Sequence, residues 1–321
     1  MYSFIDKYSP TCFDETIYSN TLIETIKLTI KLGNVHLLFV GPQNCGKTTM
    51  INCFIREYFE LKNGDSFPHQ NIMFMNIMRE QGITYYRTEM KTFCQSKCTI
   101  HNKKKLVIID DIDTIHDSCQ HIFRCFMENY KNNVIFICSA SFENKIIEQL
   151  QSRLCILKLN TPSFDSISGI IKTICNNENM FINNDALSYL INITNKNIRK
   201  IITTLEKIYI FNDTFSVIDI ELCKKFSLSI NDDQLNSYLT NLFNRDIVTA
   251  YKLLIDLHNV GFSVIDIIEC FYTFIKMTNR LDDSLKYKFT IFICEYIVSF
   301  YKIHEHPIEL IFFTNDILQL L

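Results

Sequence analysis

An α/β fold, built on a five-stranded parallel sheet and continued by helices alone, is predicted by three features of the sequence. The 7 glycines and 5 prolines among 321 residues fall far below the roughly 12% of ordinary chains, which disfavours sandwiches made of many tight turns and excludes collagen-like and linker-rich classes. Five short runs, residues 36–40, 72–76, 106–110, 134–138 and 155–159, are mostly apolar with no polar–apolar alternation and are bounded by polar residues, as suits strands covered by helices on both faces. From Phe164 onward Ile, Leu and Phe recur at spacings of 3 and 4, the period of an amphipathic helix.

In chain order, most of the strand runs are followed by an amphipathic segment, the alternation of a parallel sheet with crossover helices. Pro162 closes this region. Helices are predicted over 164–176, 184–193, 197–211 and 217–226, and a polar stretch, 229–234, precedes a last helical block. The expected organisation is a sheet domain over 1–162, a helical domain over 163–228 and a second helical domain over 229–321. No internal repeat or low-complexity tract interrupts it.

Composition bounds the function. With 47% hydrophobic and 21% charged residues the chain can bury a sizeable core, which excludes disorder. No apolar run reaches the ~18 residues of a membrane span, and the opening MYSFIDKYSP carries Asp6 and Pro10 where a signal sequence would be apolar, so a soluble, intracellular protein with no membrane partner is expected. The 13 cysteines lack framework spacing and read as reduced, buried small hydrophobes. At a net charge of −3, nucleic-acid contact would have to come from a local basic stripe or from a partner.

The strongest motif is Gly41, Pro42, Gln43, Asn44, Cys45, Gly46, Lys47 and Thr48. It matches G-x-x-x-x-G-K-[ST] directly after the strand run HLLFV and directly before the amphipathic run TMINCFIREYF, where Thr49 joins the binding set. Such a loop turns successive backbone N–H groups and a helix N-terminus toward phosphate oxygens. Lys47 would neutralise the β- and γ-phosphates of ATP, and Thr48 would offer a hydroxyl to Mg²⁺. A second strand, 106–110, ends in two carboxylates: Asp110 is the natural Mg²⁺ partner, and Asp111 stands where a general base for water is needed.

Arg87 and Lys91 lie four residues apart in a predicted helix over 84–98 and share one face. Lys103, Lys104 and Lys105 read as a solvated strand leader rather than as phosphate contacts. Cys94, Cys98 and His101 invite a zinc reading but lack a fourth ligand at workable spacing.

With these motifs placed, the sequence resembles the small subunits of replication factor C, the AAA+ clamp loader. Residues 4–10, FIDKYSP, are similar to the family opening W-V-E-K-Y-R-P, which borders the adenine and brings Tyr8 into the nucleotide set. Residues 76–87, NIMREQGITYYR, are similar to N-A-S-D-D-R-G-I-D-V-V-R, and residues 110–113, DDID, stand at the family's D-E-A-D. NKIIE at 144–148 with QSR at 151–153, NIRK at 197–200, and GFS at 261–263 with DII at 266–268 resemble further family segments in family order.

The resemblance implies a RecA-like AAA+ domain, an all-α lid and an all-α collar that joins subunits into a pentameric ring with ATP between neighbours. By the same carry-over Arg153 is an arginine finger for the adjacent subunit, and Arg199 contacts nucleotide within its own. Ser139 falls near the family's sensor, typically Asn, and Arg87 and Lys91 track the phosphates of primer-template DNA. The implied activity is ATP-driven loading of a ring-shaped sliding clamp during replication, in the nucleus or at another site of replication. Ile- and Asn-rich usage points toward an AT-rich genome such as that of a large DNA virus, with its own replication compartment. Asp111 replaces the family Glu, Ser9 an Arg, and Leu154 a Cys. Asp111 separates the motor reading from an alternative, a non-hydrolysing scaffold that binds ATP and lends Arg153 to its neighbour. Other AAA+ DNA machines lack support in the collar-like segment.

Overall fold

A computed structural model describes residues 3–62, 64–75, 83–211, 217–226, 230, 232–300 and 304–320, with backbone alone at 83–87 and 232. The chain forms two compact units, Met1–Ser227 and Leu228–Leu321. The expected boundary near 229 lies outside the described residues. Residue 162 lies within the first unit, between its last sheet strand and the helix Phe164–Asn177.

The sheet consists of β1 (Leu37–Val40), β2 (Ile72–Met75), β3 (Lys105–Ile109), β4 (Val134–Ala140) and β5 (Cys155–Lys158), all parallel, in the order β2-β3-β4-β1-β5. Asn76, expected to close β2, lies outside the described residues. Every residue of the three inner strands is buried, and strand alternation divides them between two cores. Leu38, Val40, Val107, Ile109, Phe136 and Cys138 meet the helix Asp117–Asn129 through Cys119 and Phe123 on one face. Leu37, Phe39, Leu106, Ile108, Ile135 and Ile137 meet the helix Lys47–Phe59 through Met50 and Phe54 on the other. This explains the mostly apolar runs, because a strand covered on both sides has few polar positions to spare.

The expected strand-leader lysines are tied into this frame. Lys103 Nζ pairs with Glu60 at 2.7 Å, and Lys104 Nζ donates to the Lys131 carbonyl at 2.7 Å. Lys105 is buried, its ammonium 2.6 Å from Ser96 Oγ and 4.4 Å from the Phe93 ring centre. Long aliphatic stems let lysines cover apolar surface while their heads find partners.

The rest of the first unit is the helices Phe164–Asn177, Asn184–Ile193, Ile198–Phe211 and Ile220–Phe226, around a separate core that includes Ile171, Leu190, Leu205 and Ile208. The expectation of helices alone needs one amendment. Phe181–Ile182 and Val217–Ile218 form a two-residue parallel ladder, too short for a period-2 pattern to register, with Ile218 fully buried. The N-terminal helix Phe4–Lys7 packs here: Phe4 is buried in this core, and its N–H donates to Glu206 Oε1 at 3.1 Å.

The second unit contains the helices Asp232–Phe243, Ile247–Val260, Val264–Met277, Asp283–Phe300 and Glu309–Leu320 around Leu254, Phe271, Phe289 and Phe313. The GFS segment is a helix junction. Gly261, at φ +117°, closes one helix, and Ser263 Oγ accepts the Asp266 N–H at 3.0 Å to open the next. No described helix is long and apolar enough to cross a membrane.

Candidate active site

In a parallel sheet ligands meet the carboxyl ends of the strands, and there β1, β3 and β4 run out side by side. Gly41 follows β1 so closely packed that a Cβ would lie 2.6 Å from the Leu159 carbonyl oxygen and 2.9 Å from Cys45 Sγ, so no side chain fits. The loop then turns through Asn44 at φ +59° and Gly46 at φ +97°. The helix Lys47–Phe59 begins with no side-chain cap, leaving its first N–H groups to the loop's concave side.

Lys47 is only 7% exposed. Its ammonium donates to the Gly41 carbonyl at 3.0 Å, the Pro42 carbonyl at 3.2 Å and Ser141 Oγ at 3.0 Å, so three donors meet three acceptors. Thr48 Oγ1 donates to Asp110 Oδ2 at 2.9 Å. Asp110 Oδ1 accepts from Ser139 Oγ, which in turn accepts the Asp111 N–H at 2.9 Å. Asp111 has a left-handed backbone at φ +51°. Partial desolvation at the cavity wall, then the neighbouring Asp110, raises its carboxyl above the usual range; Lys47 opposes this, and Asp113 adds to it.

Lys47, Thr48, Asp110, Asp111 and Ser141 line a cavity of about 1260 Å³. Its wall includes Gln43 through Thr49 from the loop, Asp110 and Asp111, Tyr8 from the N-terminal segment and Arg199 from the helix Ile198–Phe211. The Tyr8 hydroxyl donates to Glu178, which fixes the ring's edge of the wall. The cavity fits a nucleotide triphosphate in chemistry as well as size, with uncapped N–H groups and an ammonium for phosphates. Thr48 and Asp110 bring two hard oxygens together, the donor type Mg²⁺ takes while keeping several waters. Among the described residues no group of three His, Cys, Asp or Glu is placed to hold a metal ion. Cys94 is buried, and burial pushes its thiol up to about 12.

Some expected residues stand elsewhere. Ser139 is fully buried within β4, behind the two aspartates, and does not line the cavity. Arg153 also lies apart from it, exposed after the helical turn Glu148–Gln151, paired with Glu128 and donating to the Gln149 carbonyl at 2.6 Å. Lys91 is exposed on the helix Ile83–Gln95; the Arg87 side chain lies outside the described residues. Ser141 and Asp113, outside the expected set, also line the cavity. Ser141 holds the Lys47 ammonium, and Asp113 accepts the Ser141 and Phe142 N–H groups at 3.2 Å each. Only the end of β4 at Ala140 distinguishes Ser141 from Ser139.

Residues 33–168 match the family described as AAA domain, and residues 230–299 match the replication factor C C-terminal domain. The chain is 31% identical over 204 residues to replication factor C small subunit 2 of Pyrobaculum islandicum, covering 63% of this chain and 62% of that protein's length. It is 27% identical over 286 residues to replication factor C small subunit 1 of Pyrobaculum arsenaticum, covering 88% and 84%. Against replication factor C subunit 4 of Schizosaccharomyces pombe the identity is 25% over 282 residues, covering 87% and 80%. Among solved structures, the Thermotoga maritima RuvB Holliday junction branch migration motor has a TM-score of 0.55 at 14% identity, covering 73% of this chain and 79% of that one, a likeness of fold. The chain is thus similar to an AAA domain over its sheet region, to the replication factor C C-terminal domain in its second unit, and to replication factor C small subunits over most of its length.

Proposed function

We propose that this chain is an ATPase subunit of a clamp loader, acting within a pentameric ring to place a sliding clamp on primer-template DNA. The observation that carries the proposal is the meeting of Lys47, Thr48 and Asp110 in one cavity that also takes Tyr8 and Arg199 from outside the sheet. Lys47 binds the β- and γ-phosphates, and Thr48 and Asp110 would hold Mg²⁺, which would supply charge neutralisation at the phosphates. Asp111 orients water and takes its proton as that oxygen bonds to the γ-phosphorus and the bond to the β-phosphate breaks. Arg199 reports nucleotide to the helical part of the first unit.

Arg153 is exposed and does not line its own cavity, which suits a finger directed at a neighbour's site: a planar, always-charged fork stabilises charge at the transferred phosphoryl group. The three domains take the roles of ATPase (1–162), lid (163–228) and collar (229–321). Arg87 and Lys91 meet DNA phosphates without reading bases, and the work is done where DNA replicates inside the cell.

The test is reconstitution with co-expressed subunits and the cognate clamp on primed circular DNA. The proposal expects clamp retention that requires ATP and this chain. Retention without this chain, or with ATP omitted, contradicts it.

A further inference from the structure

We infer that Asp113 is a positioning residue that sets the preference of the nucleotide site for a triphosphate over a diphosphate, acting through Ser141 and Lys47; this rests on the nucleotide reading above. Asp113 belongs to the short turn Ile112–Thr114 that follows Asp110 and Asp111, and it is 9% exposed. β4 ends at Ala140, so the next two N–H groups need another acceptor. Asp113 Oδ2 takes both, from Ser141 and Phe142, at 3.2 Å each. The carboxylate therefore ties the turn after β3 to the turn after β4.

That tie fixes Ser141, whose Oγ accepts from Lys47 Nζ at 3.0 Å. A hydroxyl that accepts from an ammonium keeps its own proton to donate. Ser141 thus holds a hydroxyl proton to donate beside the positive charge of Lys47, at the place where a lysine of such a loop meets the terminal phosphates. A shift of the turn by about 1 Å would break a hydrogen bond of this length. Asp113 itself need touch no nucleotide. Its remaining oxygen, Oδ1, is buried without a partner among the described residues, so the carboxylate is held where it is by the two backbone bonds.

The test is calorimetric titration of the full chain with ATP and with ADP in Mg²⁺, for the wild type, Asp113→Ala, Asp113→Asn, Ser141→Ala and the double Ala variant, each first checked for folding by circular dichroism. Asp113→Ala and Ser141→Ala should each lower the ATP-over-ADP affinity ratio by about tenfold, the size of one charge-assisted hydrogen bond, with ADP affinity little changed. The double variant should lose no more than the larger single, because both act through one contact. Asp113→Asn should retain most of the ratio, since an amide oxygen can accept the same two N–H groups. An unchanged ratio in Asp113→Ala, multiplied losses in the double variant, or an Asn variant as poor as Ala would each overturn the inference. A wild type that binds neither nucleotide would instead overturn the nucleotide reading itself.

Discussion

Thr48 Oγ1 donates to Asp110 Oδ2 at 2.9 Å, joining the first turn of the helix after β1 to the end of β3 across 62 residues of chain. Neither oxygen belongs to a described cluster of three ligands, so a cation here would complete its coordination with phosphate oxygens and water. Asp110→Asn is therefore expected to leave ATP binding without Mg²⁺ within about threefold while removing most of the gain that Mg²⁺ brings, since the charge lost acts on the cation. Titrations with and without Mg²⁺ read this. An unaltered Mg²⁺ dependence would remove Asp110 from the metal site.

Asp111 carries a carboxyl raised by desolvation and by Asp110, and it is one methylene shorter than the family Glu. The sign follows from linkage: a carboxyl raised in the fold is charged at an energetic cost at neutral pH, and that cost disappears as pH falls through the raised value. Asp111→Asn is accordingly expected to raise the melting temperature at pH 7 while lowering kcat in the assembled ring. Asp111→Glu is expected to increase kcat with ATP affinity within about threefold, because proton-transfer geometry matters more in the transition state than in the ground state. The acid limb of the pH–rate profile should lie above the usual carboxylate range. If neither variant changes kcat, Asp111 is not the base.

Arg153 is held on its own surface by Glu128 and the Gln149 carbonyl. Arg153→Ala should leave ATP affinity of the isolated chain unchanged and lower ATPase of the assembled ring by about 10³ at the site it serves. Rings assembled with the variant and assayed beside wild-type rings measure this. Equal turnover would argue against a role in the neighbour's site.

His36 supplies a stability test remote from the cavity. Its Nδ1 accepts the Phe136 N–H at 3.0 Å, and burial, with the nearby Lys104, lowers its value from 6.5 to about 4. The unfolded chain takes up a proton near 6.5 and the folded chain does not until about 4, so stability is full above 6.5 and is lost as pH falls between the two. The loss from this group is of order 3 kcal/mol at most. Urea denaturation at pH 7.5, 5.5 and 4.5 should show a steeper decline for the wild type than for His36→Asn, whose amide oxygen can accept the same N–H without titrating. Equal declines would contradict a half-buried imidazole held neutral.

The parts of this molecule legible in its sequence are those fixed by local chemistry. Strands buried on both faces announce themselves as apolar runs, and Gly41 and Gly46 mark positions where a side chain collides or the backbone turns left-handed. What stayed hidden depends on contacts between distant segments. Two serines, Ser139 and Ser141, differ in role only because β4 ends between them. Asp113 looks like one more acid in DDID until the fold sets it against the Ser141 and Phe142 N–H groups. Lys105 reads as a solvated charge until Ser96 and Phe93 close over it. Glu178 and Glu206, which hold the N-terminal segment, lie 170 residues or more from Tyr8 and Phe4, beyond the reach of any spacing rule.

Calorimetric titration of the chain with MgATP, comparing the wild type with Lys47→Ala, shows whether this cavity binds ATP through Lys47. Lys47 is the cation of the phosphate loop, and its donors are already gathered at the loop's mouth by Gly41, Pro42 and Ser141. With two of these donors exchanged onto phosphate oxygens in the complex, their loss at about 1.5–3 kcal/mol each corresponds to a fall in affinity of about 100-fold or more. Lys47→Ala should show that loss with its fold intact by circular dichroism. A folded Lys47→Ala protein that binds MgATP as tightly as the wild type would contradict it.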